Sequence, residues 1–400
     1  MSKFKKNIFG FTLLELLITI GVLGILSAIT VIVINPAEKL KESRDTVRIV
    51  DIGNIDNNLQ AFLEENPAGS MGQANTVYVS LPSNQTNCSD LSLPGLSTGW
   101  TYACKPLADY RKIDGTGWIP VDLTKATGRS LTSLPIDPRN NSSYYYIYVT
   151  GGSWDLSSLL ESEKKLKEVA IKDGGMDDGR YEIGGDLSLW TQASGLIRYW
   201  KFNENSGITA YDSSVVGNNG ILTNGPTWVS GKVNNALSFD GVDDYVQIGA
   251  GNNYFPLPLF SVCAWIKSSG LASGMSSNGI ISLTYGFIVE LDGSGKFVTY
   301  IDSGSSLVYL SVPDNLYDNK FHHLCLTFNG SNRYMFVDGV MKNSLATTWL
   351  GTTRWSTNSC SIGHNNNPPV SKFNGLIDEA RIYNRVLSVS EIQSLYNATK

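Results

Sequence analysis

The chain has 400 residues, which is enough for two or three domains. Charged residues make up only 17% of it, whereas glycine contributes 39 residues and aromatic residues reach 10%, a profile typical of β-rich, turn-rich proteins. The formal net charge of −5 provides no positive field for a phosphate backbone, which argues against a nucleic-acid-binding function. Apolar residues occur along the whole length, so the chain is not intrinsically disordered.

An apolar segment, 11–34, follows ten residues that contain three lysines and no acidic residue. As a helix this segment is about 36 Å long, which exceeds a hydrocarbon core of about 30 Å. The lysines before it place the N-terminus in the cytoplasm. A signal peptide has a shorter apolar region, of about 7–15 residues. We therefore predict a membrane-spanning helix in which the one charged residue, Glu15, requires a partner, because a charge at membrane depth costs about 2.5–3.5 kcal/mol.

The sequence KKNIFGFTLLE, residues 5–15, resembles the N-terminal signal of type IV pilins and of type II secretion pseudopilins. In that family a membrane peptidase cleaves after the glycine, and the new N-terminal residue is N-methylated. The resemblance therefore implies cleavage between Gly10 and Phe11. The new amine would lie one helical turn from Glu15, on the same helix face. An amine on a neighbouring subunit could then neutralise the Glu15 carboxylate and set the subunit register during assembly.

Apolar residues then recur at helical spacing as far as Asn66-Pro67, which marks a helix end because the residue before proline disfavours the α region. This pattern resembles the long N-terminal helix of pilins, whose second half packs on a globular head. The resemblance implies a leader peptide over 1–10, a helix over 11–66 and a pilin-like head over 67–192. The apolar positions predicted to face the head are Ile52, Ile55, Leu59, Phe62 and Leu63.

The head segment is rich in turns and is predicted to be a small β-containing domain. Cys88 and Cys104 lie close in sequence, and outside the cytoplasm such a pair favours a disulfide over a reactive thiol or a metal site. Closing a loop of this size contributes about 3 kcal/mol. The strand-like segments are 76–79, 118–121 and 143–149.

One loop of the head, KDGGMDDG, contains acidic side chains that could coordinate Ca²⁺ through oxygen atoms, as a head loop does in major pseudopilins. A solvated turn without an ion is the alternative. The candidate ligands are Asp173, Asp177 and Asp178.

From Ala193 onward, short strands are separated by turns rich in glycine, asparagine and serine, which is typical of a β-sandwich. Stretches such as NALSFDGVDDYVQI, KFHHLCLTFNGS and GLIDEARIYNRVLSVSEIQSLY make residues 196–400 resemble the laminin-G-like, concanavalin A-type jelly roll. The resemblance implies an all-β jelly-roll sandwich over 193–400, after an α+β pilin-like part with a long transmembrane helix and a small β-containing head.

Two further features are implied by this second resemblance. Pentraxins, relatives of the fold, have a disulfide between the equivalent strands, which implies a bridge between Cys263 and Cys325 and leaves Cys360 outside it; buried thiols are the alternative. Oxygen clusters where the terminal strands of such folds meet often hold a structural Ca²⁺, although no cofactor is required. Surface turns without an ion are again the alternative. The candidate ligands are Asn203, Glu204, Asp240 and Asp378.

Catalysis would need a pair of carboxylates, which concanavalin-type glycosidases commonly present as E-x-D-x-x-E on one strand. Glu290 and Asp292 begin this pattern, but Gly295 occupies the position of the second glutamate. We therefore predict that the protein is not an enzyme, with a membrane-anchored surface carbohydrate-active enzyme as an alternative.

The resemblances predict a minor pilin-like subunit of a type IV pilus-type filament that presents a lectin-like adhesion domain to a glycan or surface-protein ligand. Its partners would be a prepilin peptidase/methylase, other pilin subunits and the inner-membrane assembly platform. It would be a single-pass protein of the bacterial cytoplasmic membrane before assembly, and would lie at the cell surface in a pilus afterwards. A pseudopilin of a type II secretion or competence system is the alternative.

Overall fold

The described part of the chain begins with two helices. The computed structural model describes residues 13–22, 35–128, 131–175, 177, 179–214, 217–250, 259–283, 287–302, 307–347, 359–365 and 371–399. A first helix, α1, covers residues 13–22 and exposes its apolar side chains. Among the described residues, no helix combines the length and the hydropathy needed to cross a membrane. Most of the predicted span over 11–34 lies outside the described residues, as do Gly10 and Phe11.

The second helix, α2, spans Pro36–Glu65. Proline suits the first turn of a helix, where its missing N–H would have no partner, and the Asn35 side chain caps the turn by accepting a backbone hydrogen bond. The helix ends immediately before Asn66-Pro67, as predicted. Of its predicted apolar face, four side chains are buried and Leu63 is half-buried.

Five strands form the sheet of the head, in the order β2-β1-β3-β4-β5. β1 and β2 are parallel, and the other neighbouring pairs are antiparallel. Side chains alternate across the sheet, so α2 packs on one face with Tyr146 and Tyr148, and α4 packs on the other with Ile147 and Val149. The elements are β1 Thr76–Pro82, β2 Thr101–Lys105, β3 Tyr146–Thr150, β4 Trp154–Leu159, β5 Arg180–Gly184, α3 Glu163–Glu168 and α4 Ser188–Ser194.

One predicted strand of the head is a buried loop. Within the described residues, segment 118–121 pairs with no strand, although the side chains of Trp118 and Ile119 are fully buried in the core. Pro120 explains the difference, because proline has no N–H to donate to a sheet ladder. The Trp118 N–H instead donates to the Tyr110 carbonyl at 2.8 Å.

A fully buried guanidinium connects α2 to the head. The Arg48 side chain lies 2.6 Å from Asp137 Oδ2, 2.7 Å from Asp45 Oδ1 and 2.7 Å from Glu161 Oε1. Arg44 donates to the same Glu161 carboxylate. Burial acts to raise the pKa of Glu161, but the hydrogen bonds from Arg44 and Arg48 prevail and lower it to about 2. These ion pairs fix α2 against parts of the head that are distant in sequence.

The C-terminal part is an all-β sandwich, as predicted. In the described residues its first sheet has the order β19-β18-β17-β12-β23-β10-β9, with β6 also paired to β23, and its second sheet has the order β16-β15-β14-β13-β20-β11-β8-β7. A separate short pair, β21 and β22, and a C-terminal helix, α5, complete this part. The predicted boundary at residue 193 falls inside α4, and the first strand of the sandwich begins at Leu196.

The strands of the sandwich have the following bounds: β6 Leu196–Trp200, β7 Thr209–Ala210, β8 Gly220–Thr223, β9 Thr227–Ser230, β10 Asn235–Asp240, β11 Tyr245–Ala250, β12 Phe260–Lys267, β13 Ser277–Leu283, β14 Phe287–Asp292, β15 Phe297–Asp302, β16 Leu307–Ser311, β17 Phe321–Phe328, β18 Asn332–Val337, β19 Val340–Ala346, β20 Ser359–Ile362, β21 His364–Asn365, β22 Ser371–Lys372 and β23 Asn374–Tyr383. α5 spans Val389–Thr399.

Both predicted disulfides are present. Cys88 and Cys104 are bridged in the head, and Cys263 and Cys325, which are directly opposite on β12 and β17, are bridged in the sandwich. Cys360 lies outside both bridges and is buried in the core between the two sheets.

The head docks on the outward face of the first sheet. The Asn384 N–H, just beyond β23, donates to the Gly195 carbonyl at 2.9 Å, and the Asn384 side chain contacts Ser97 of the head. The buried Arg385 side chain donates to the carbonyl of Ser194 at the end of α4. Head and sandwich are therefore joined by side-chain contacts as well as by the chain itself.

The helix α5 contacts both the sandwich and the head. Tyr396 stacks on Trp265 of the first sheet, with ring centroids 5.6 Å apart, and the Trp265 indole donates to Thr399 Oγ1 at 2.8 Å. Ala398 packs with Leu166 of the head. The outward face of the central strands β12, β17 and β23 is thus covered by α5 and the head.

Replacing Asp137 with asparagine should lower the free energy of unfolding of the head by about 3 kcal/mol, because the buried Arg48 loses a counter-charge. Urea unfolding followed by circular dichroism measures the change. Asp109→Asn is the matched control, since Asp109 pairs with Lys112 at the surface, where such pairs contribute about 0–1 kcal/mol. Equal destabilisation by the two substitutions would contradict the assigned role of Arg48.

Candidate functional site

The outward face of the second sheet carries a group of aromatic and acidic side chains. On β14 the odd-numbered residues point into the core, so Glu290 and Asp292 point outward. The sheet ladder places Tyr300 of β15 directly beside Tyr309 of β16, on the same face. We call Glu290, Asp292, Tyr300 and Tyr309 the tyrosine–carboxylate cluster.

The two rings of this cluster form an aromatic surface. Their centroids lie 5.5 Å apart, and their planes are inclined by 58°. Tyr309 is 45% exposed, and its hydroxyl donates to Asp292 Oδ2 at 3.2 Å. Tyr300 is half-buried, and burial together with the nearby Glu290 charge raises its pKa to about 12. Its hydroxyl therefore stays protonated at neutral pH and can donate a hydrogen bond.

Glu290 is the buried member of the cluster. It is only 3% exposed, and Ser371 Oγ donates to its Oε2 at 3.0 Å. Burial raises the pKa of Glu290, and hydrogen bonds from Ser371 and Tyr300 oppose this effect. Ser371 reaches Glu290 because β22 lies directly on β13 at Gly279, where a Cβ atom would come within 2.7 Å of Ser371 Oγ. Glu290 is thus held between β15 and β22.

Asp292 is the more exposed carboxylate, at the end of β14. Its Oδ1 accepts hydrogen bonds from the Ser294 N–H and hydroxyl at 2.8 Å and from the Lys296 N–H at 3.0 Å. Burial acts to raise the pKa of Asp292, but these hydrogen bonds prevail and hold it below its usual range. The turn passes through Gly295 with φ of +78°, and a Cβ atom there would overlap the Asn315 side chain. The position of the second glutamate in the glycosidase pattern is therefore occupied by a glycine in a turn.

The calcium ligands predicted in the sandwich do not all lie together. Side-chain oxygens of Asn203, Glu204 and Asp378 each accept a hydrogen bond from a backbone N–H. Asp240 pairs with Asn374 on the ladder between β10 and β23, and Asp378 lies four residues further along β23, a separation of about 14 Å. Asp240 therefore belongs to a different part of the sandwich from Asp378.

Asp240 instead lies in an acidic group at the turn between β10 and β11. Carboxylate oxygens of Asp240, Asp243 and Asp244 lie within 4.8 Å of one another. Carboxylates are the ligands that Ca²⁺ prefers, so this group could hold a divalent cation. Asp240 and Asp244 also accept hydrogen bonds from backbone N–H groups of the same turn, which accounts for their positions without an ion.

The acidic loop of the head is held by internal hydrogen bonds. Asp173 accepts from the N–H groups of Gly175 and Glu182, and Asp177 accepts from the N–H of Gly179. Asp178, the third calcium ligand predicted there, lies outside the described residues.

The sequence analysis did not identify Tyr300 and Tyr309 as site residues. Alternation in FVTYID and LVYLS places Tyr300 on the same face as Asp302, and Tyr309 on the same face as Ser311. That they lie side by side, and next to the carboxylates of β14, depends on the strand register, which alternation does not determine.

Two family models match the chain. Residues 5–31 match the prokaryotic N-terminal methylation motif, and residues 240–393 match the laminin G-type model of the concanavalin A-like lectin/glucanases superfamily. Both predicted resemblances are confirmed: a pilin-type methylation signal is joined to a C-terminal concanavalin A-like domain. The signal implies processing by a prepilin peptidase and anchoring in a membrane. Among curated proteins, none matches the chain.

Several solved structures resemble the sandwich, each with a TM-score of 0.41. Domain 4 of AbnA, a GH43 extracellular arabinanase from Geobacillus stearothermophilus in complex with arabinotriose, is 19% identical over 50% of this chain and 98% of that one. The binding domain of Paraclostridial Mosquitocidal Protein 1 is 14% identical over 50% of this chain and 52% of that one. A structure of botulinum neurotoxin type C, whose cell entry depends on interaction with two ganglioside molecules, is 15% identical over 52% of each chain. This chain spans about half the length of the mosquitocidal-protein binding domain and of the botulinum neurotoxin structure.

Proposed function

We propose that this protein is a non-enzymatic, minor pilin-like subunit that displays a glycan-binding sandwich at the cell surface. The methylation motif over 5–31 supports cleavage between Gly10 and Phe11 and assembly with other pilins. Within a filament, the Glu15 carboxylate would be neutralised by the N-terminal amine of a neighbouring subunit, because an unpaired charge in an apolar bundle is costly.

The tyrosine–carboxylate cluster is the observation that supports a glycan ligand. Sugar rings combine apolar C–H faces with hydroxyl donors, so they suit a site that pairs aromatic surfaces with a few polar acceptors. Tyr300 and Tyr309 supply the aromatic surface, and the Asp292 carboxylate supplies the acceptor beside it. The match of 240–393 to a lectin and glucanase superfamily is consistent with this class of ligand.

The position of the cluster suits a displayed binding site. The head and α5 pack on the outward face of the central strands of the first sheet, whereas the cluster lies on the outward face of the second sheet, on the opposite side of the sandwich. A subunit anchored through its N-terminal helix would therefore turn this face away from its own head.

Binding without hydrolysis is supported by the surroundings of the carboxylates. A glycosidase needs one carboxylic acid to protonate the leaving group and a second carboxylate as nucleophile or base. The raised pKa of Glu290 would suit an acid, which keeps a surface carbohydrate-active enzyme as the second candidate. Glu290 is, however, buried and engaged by Ser371, and Gly295 stands where the second glutamate of the pattern would be.

Tyr309→Ala should lower glycan affinity about tenfold, since it removes the most exposed ring of the cluster. A glycan array identifies the ligand, and calorimetry with that glycan measures the change in Kd. Tyr211→Ala is the control, because Tyr211 is at 59% even more exposed than Tyr309 but follows β7 at the far edge of the sheet. An unchanged Kd in Tyr309→Ala would place the ligand elsewhere, and release of reducing sugars from the glycan would favour the enzyme.

Native protein should begin at Phe11 with one additional methyl group, which intact-mass spectrometry and N-terminal peptide sequencing detect. Gly10→Val should block the cleavage, because a branched side chain replaces the small residue at the scissile bond. A mature protein that starts at Met1, or that is cleaved after Ala28 as a signal peptide would be, contradicts the pilin assignment.

The protein should be a small fraction of the filament. A sandwich of about 200 residues has a radius of gyration of about 17 Å, so a copy on every subunit would crowd its neighbours, whereas a copy at the tip would not. Quantitative proteomics of sheared filaments measures the ratio to the major pilin. Its presence as the dominant component would disprove the minor-subunit role and leave the pilin assignment intact.

A further inference from the structure

A fully buried arginine lies between the two sheets of the sandwich. Arg333 on β18 points into the core, as Met335 and Val337 do on the same strand, and it is 0% exposed. Among the described residues no carboxylate pairs with it, and burial alone lowers the pKa of its guanidinium to about 10. The guanidinium is therefore charged at neutral pH and has no counter-charge beside it.

The donors of Arg333 bind uncharged oxygen atoms. Nη1 donates to the Thr299 carbonyl at 3.0 Å and to Thr299 Oγ1 at 2.8 Å. Nη2 donates to the Val308 carbonyl at 2.9 Å, and Nε donates to Thr347 Oγ1 at 3.1 Å. Thr299 lies on β15 and Val308 lies on β16. One side chain of the first sheet therefore binds two neighbouring strands of the second sheet.

The ladder between β15 and β16 determines how the two tyrosines of the cluster meet. The Val312 N–H donates to the Phe297 carbonyl at 2.9 Å, so these two residues form a hydrogen-bonded pair. Hydrogen-bonded and non-hydrogen-bonded pairs alternate along an antiparallel ladder. Tyr300 and Tyr309 are three pairs further along an unbroken register, and they therefore form a non-hydrogen-bonded pair, the kind in which facing side chains come closest.

Arg333 binds on both sides of this tyrosine pair. The neighbouring pairs of the ladder, which are hydrogen-bonded, contain Thr299 on one side and Val308 on the other. Their carbonyls are the two that accept hydrogen bonds from Arg333. The rings of Tyr300 and Tyr309 point outward from the sheet, whereas the guanidinium approaches the same part of the ladder from the core.

The strand that carries the exposed ring needs such support. β16 is an edge strand, so only β15 holds it through a ladder. Asn343 of β19, in the first sheet, donates to the Ser311 carbonyl of β16 at 2.7 Å. Val308 precedes Tyr309, and Ser311 follows it by two residues. The segment around Tyr309 is therefore held from the first sheet on both sides of the ring.

Stability alone does not account for a charged group at position 333. Removing a guanidinium from water is costly, and apolar residues of similar volume often replace buried charged groups without loss of stability. An apolar side chain would pack between the sheets, but it could not bind carbonyls on two different strands. The planar guanidinium of Arg333 does so with donors in a fixed geometry, and it thereby fixes the two carbonyls relative to each other.

We propose that Arg333 is a positioning residue for the glycan site, which holds β15 and β16 so that the rings of Tyr300 and Tyr309 stay side by side. Asn343 supports the same arrangement at the edge strand. A sugar ring would then stack on an aromatic surface that is already in place, so less conformational freedom is lost on binding. This inference rests on the proposed function.

A double-mutant cycle tests whether Arg333 acts through the Tyr309 ring. Arg333→Met removes the donors and should lower the affinity for the glycan selected by the array about tenfold, as measured by calorimetry. In the Tyr309→Ala background the same substitution should lower the affinity less than about twofold, because the ring that Arg333 positions is absent. Asn343→Ala should follow the same pattern with a loss of about threefold.

Fluorine NMR of the full chain in detergent micelles, labelled with 3-fluorotyrosine, reports the ring positions without a glycan. Tyr300→Phe and Tyr309→Phe assign the two signals. Both signals should shift or broaden in Arg333→Met, whereas the signal of Tyr148, in the core of the head, should stay unchanged. Ser344→Ala is the matched control and should change neither the signals nor the affinity, because Ser344 is exposed on β19 and donates to Asn343 through a backbone N–H that alanine keeps.

Two results would overturn the positioning role. Arg333→Met and Asn343→Ala could bind the selected glycan as tightly as the wild type, or Arg333→Met could cost the same factor with and without the Tyr309 ring, which would show a general effect on the fold. An array on which no glycan binds would refute the proposed function instead, and the fluorine signals would then decide whether Arg333 positions the rings. If Arg333→Met fails to fold, Asn343→Ala in both backgrounds provides the test.

Discussion

The buried guanidinium of Arg385 connects three parts of the molecule. It donates to the carbonyl of Ser194 at the end of α4, to the Val386 carbonyl in its own segment and to the Glu391 carboxylate of α5. An arginine with 6% exposure is stable only when its donors are satisfied, and here the partners come from the head, the sandwich and the C-terminal helix. Breaking any of these contacts leaves a buried N–H donor of the guanidinium without a partner, so the three parts are held in one arrangement.

That arrangement gives the two sheets of the sandwich different roles. The first sheet is covered on its outward face, where Trp265 stacks under Tyr396 and the disulfide between Cys263 and Cys325 lies near α5. The second sheet keeps Tyr309 and Asp292 accessible on its outward face. The two sheets therefore present different outward surfaces, one packed against α5 and the head and the other open to the ligand of the proposed function.

The head contains two groups of buried charged side chains, and their surroundings differ. Around Arg48 the positive and negative groups are paired at short distances, and the pairing favours ionised carboxylates. Around Asp155 and Glu182 the acidic groups outnumber the basic ones, and the environment favours the neutral form. The first arrangement attaches α2 to the head, and the second lies beneath α4.

Local patterns in the sequence determined much of this protein. The methylation signal, the end of α2 before Asn66-Pro67, the disulfide of the head and the change to a β-sandwich all depend on residues that are close in sequence or on their periodicity. The segment 118–121 shows the limit of such patterns, because one proline and burial in the core outweigh a strand-like composition.

Only the tertiary structure decided which polar groups meet. Glu290 and Ser371 are 81 residues apart in sequence, and they touch because β22 lies on β13 at Gly279. Asp155 and Trp190 are 35 residues apart, and the Asp155 carboxyl group becomes buried only when α4 closes over the sheet. Alternation indicates which face of a strand a side chain occupies, but strand register and the docking of distant elements set its neighbours, and those neighbours determine its charge state and its chemistry.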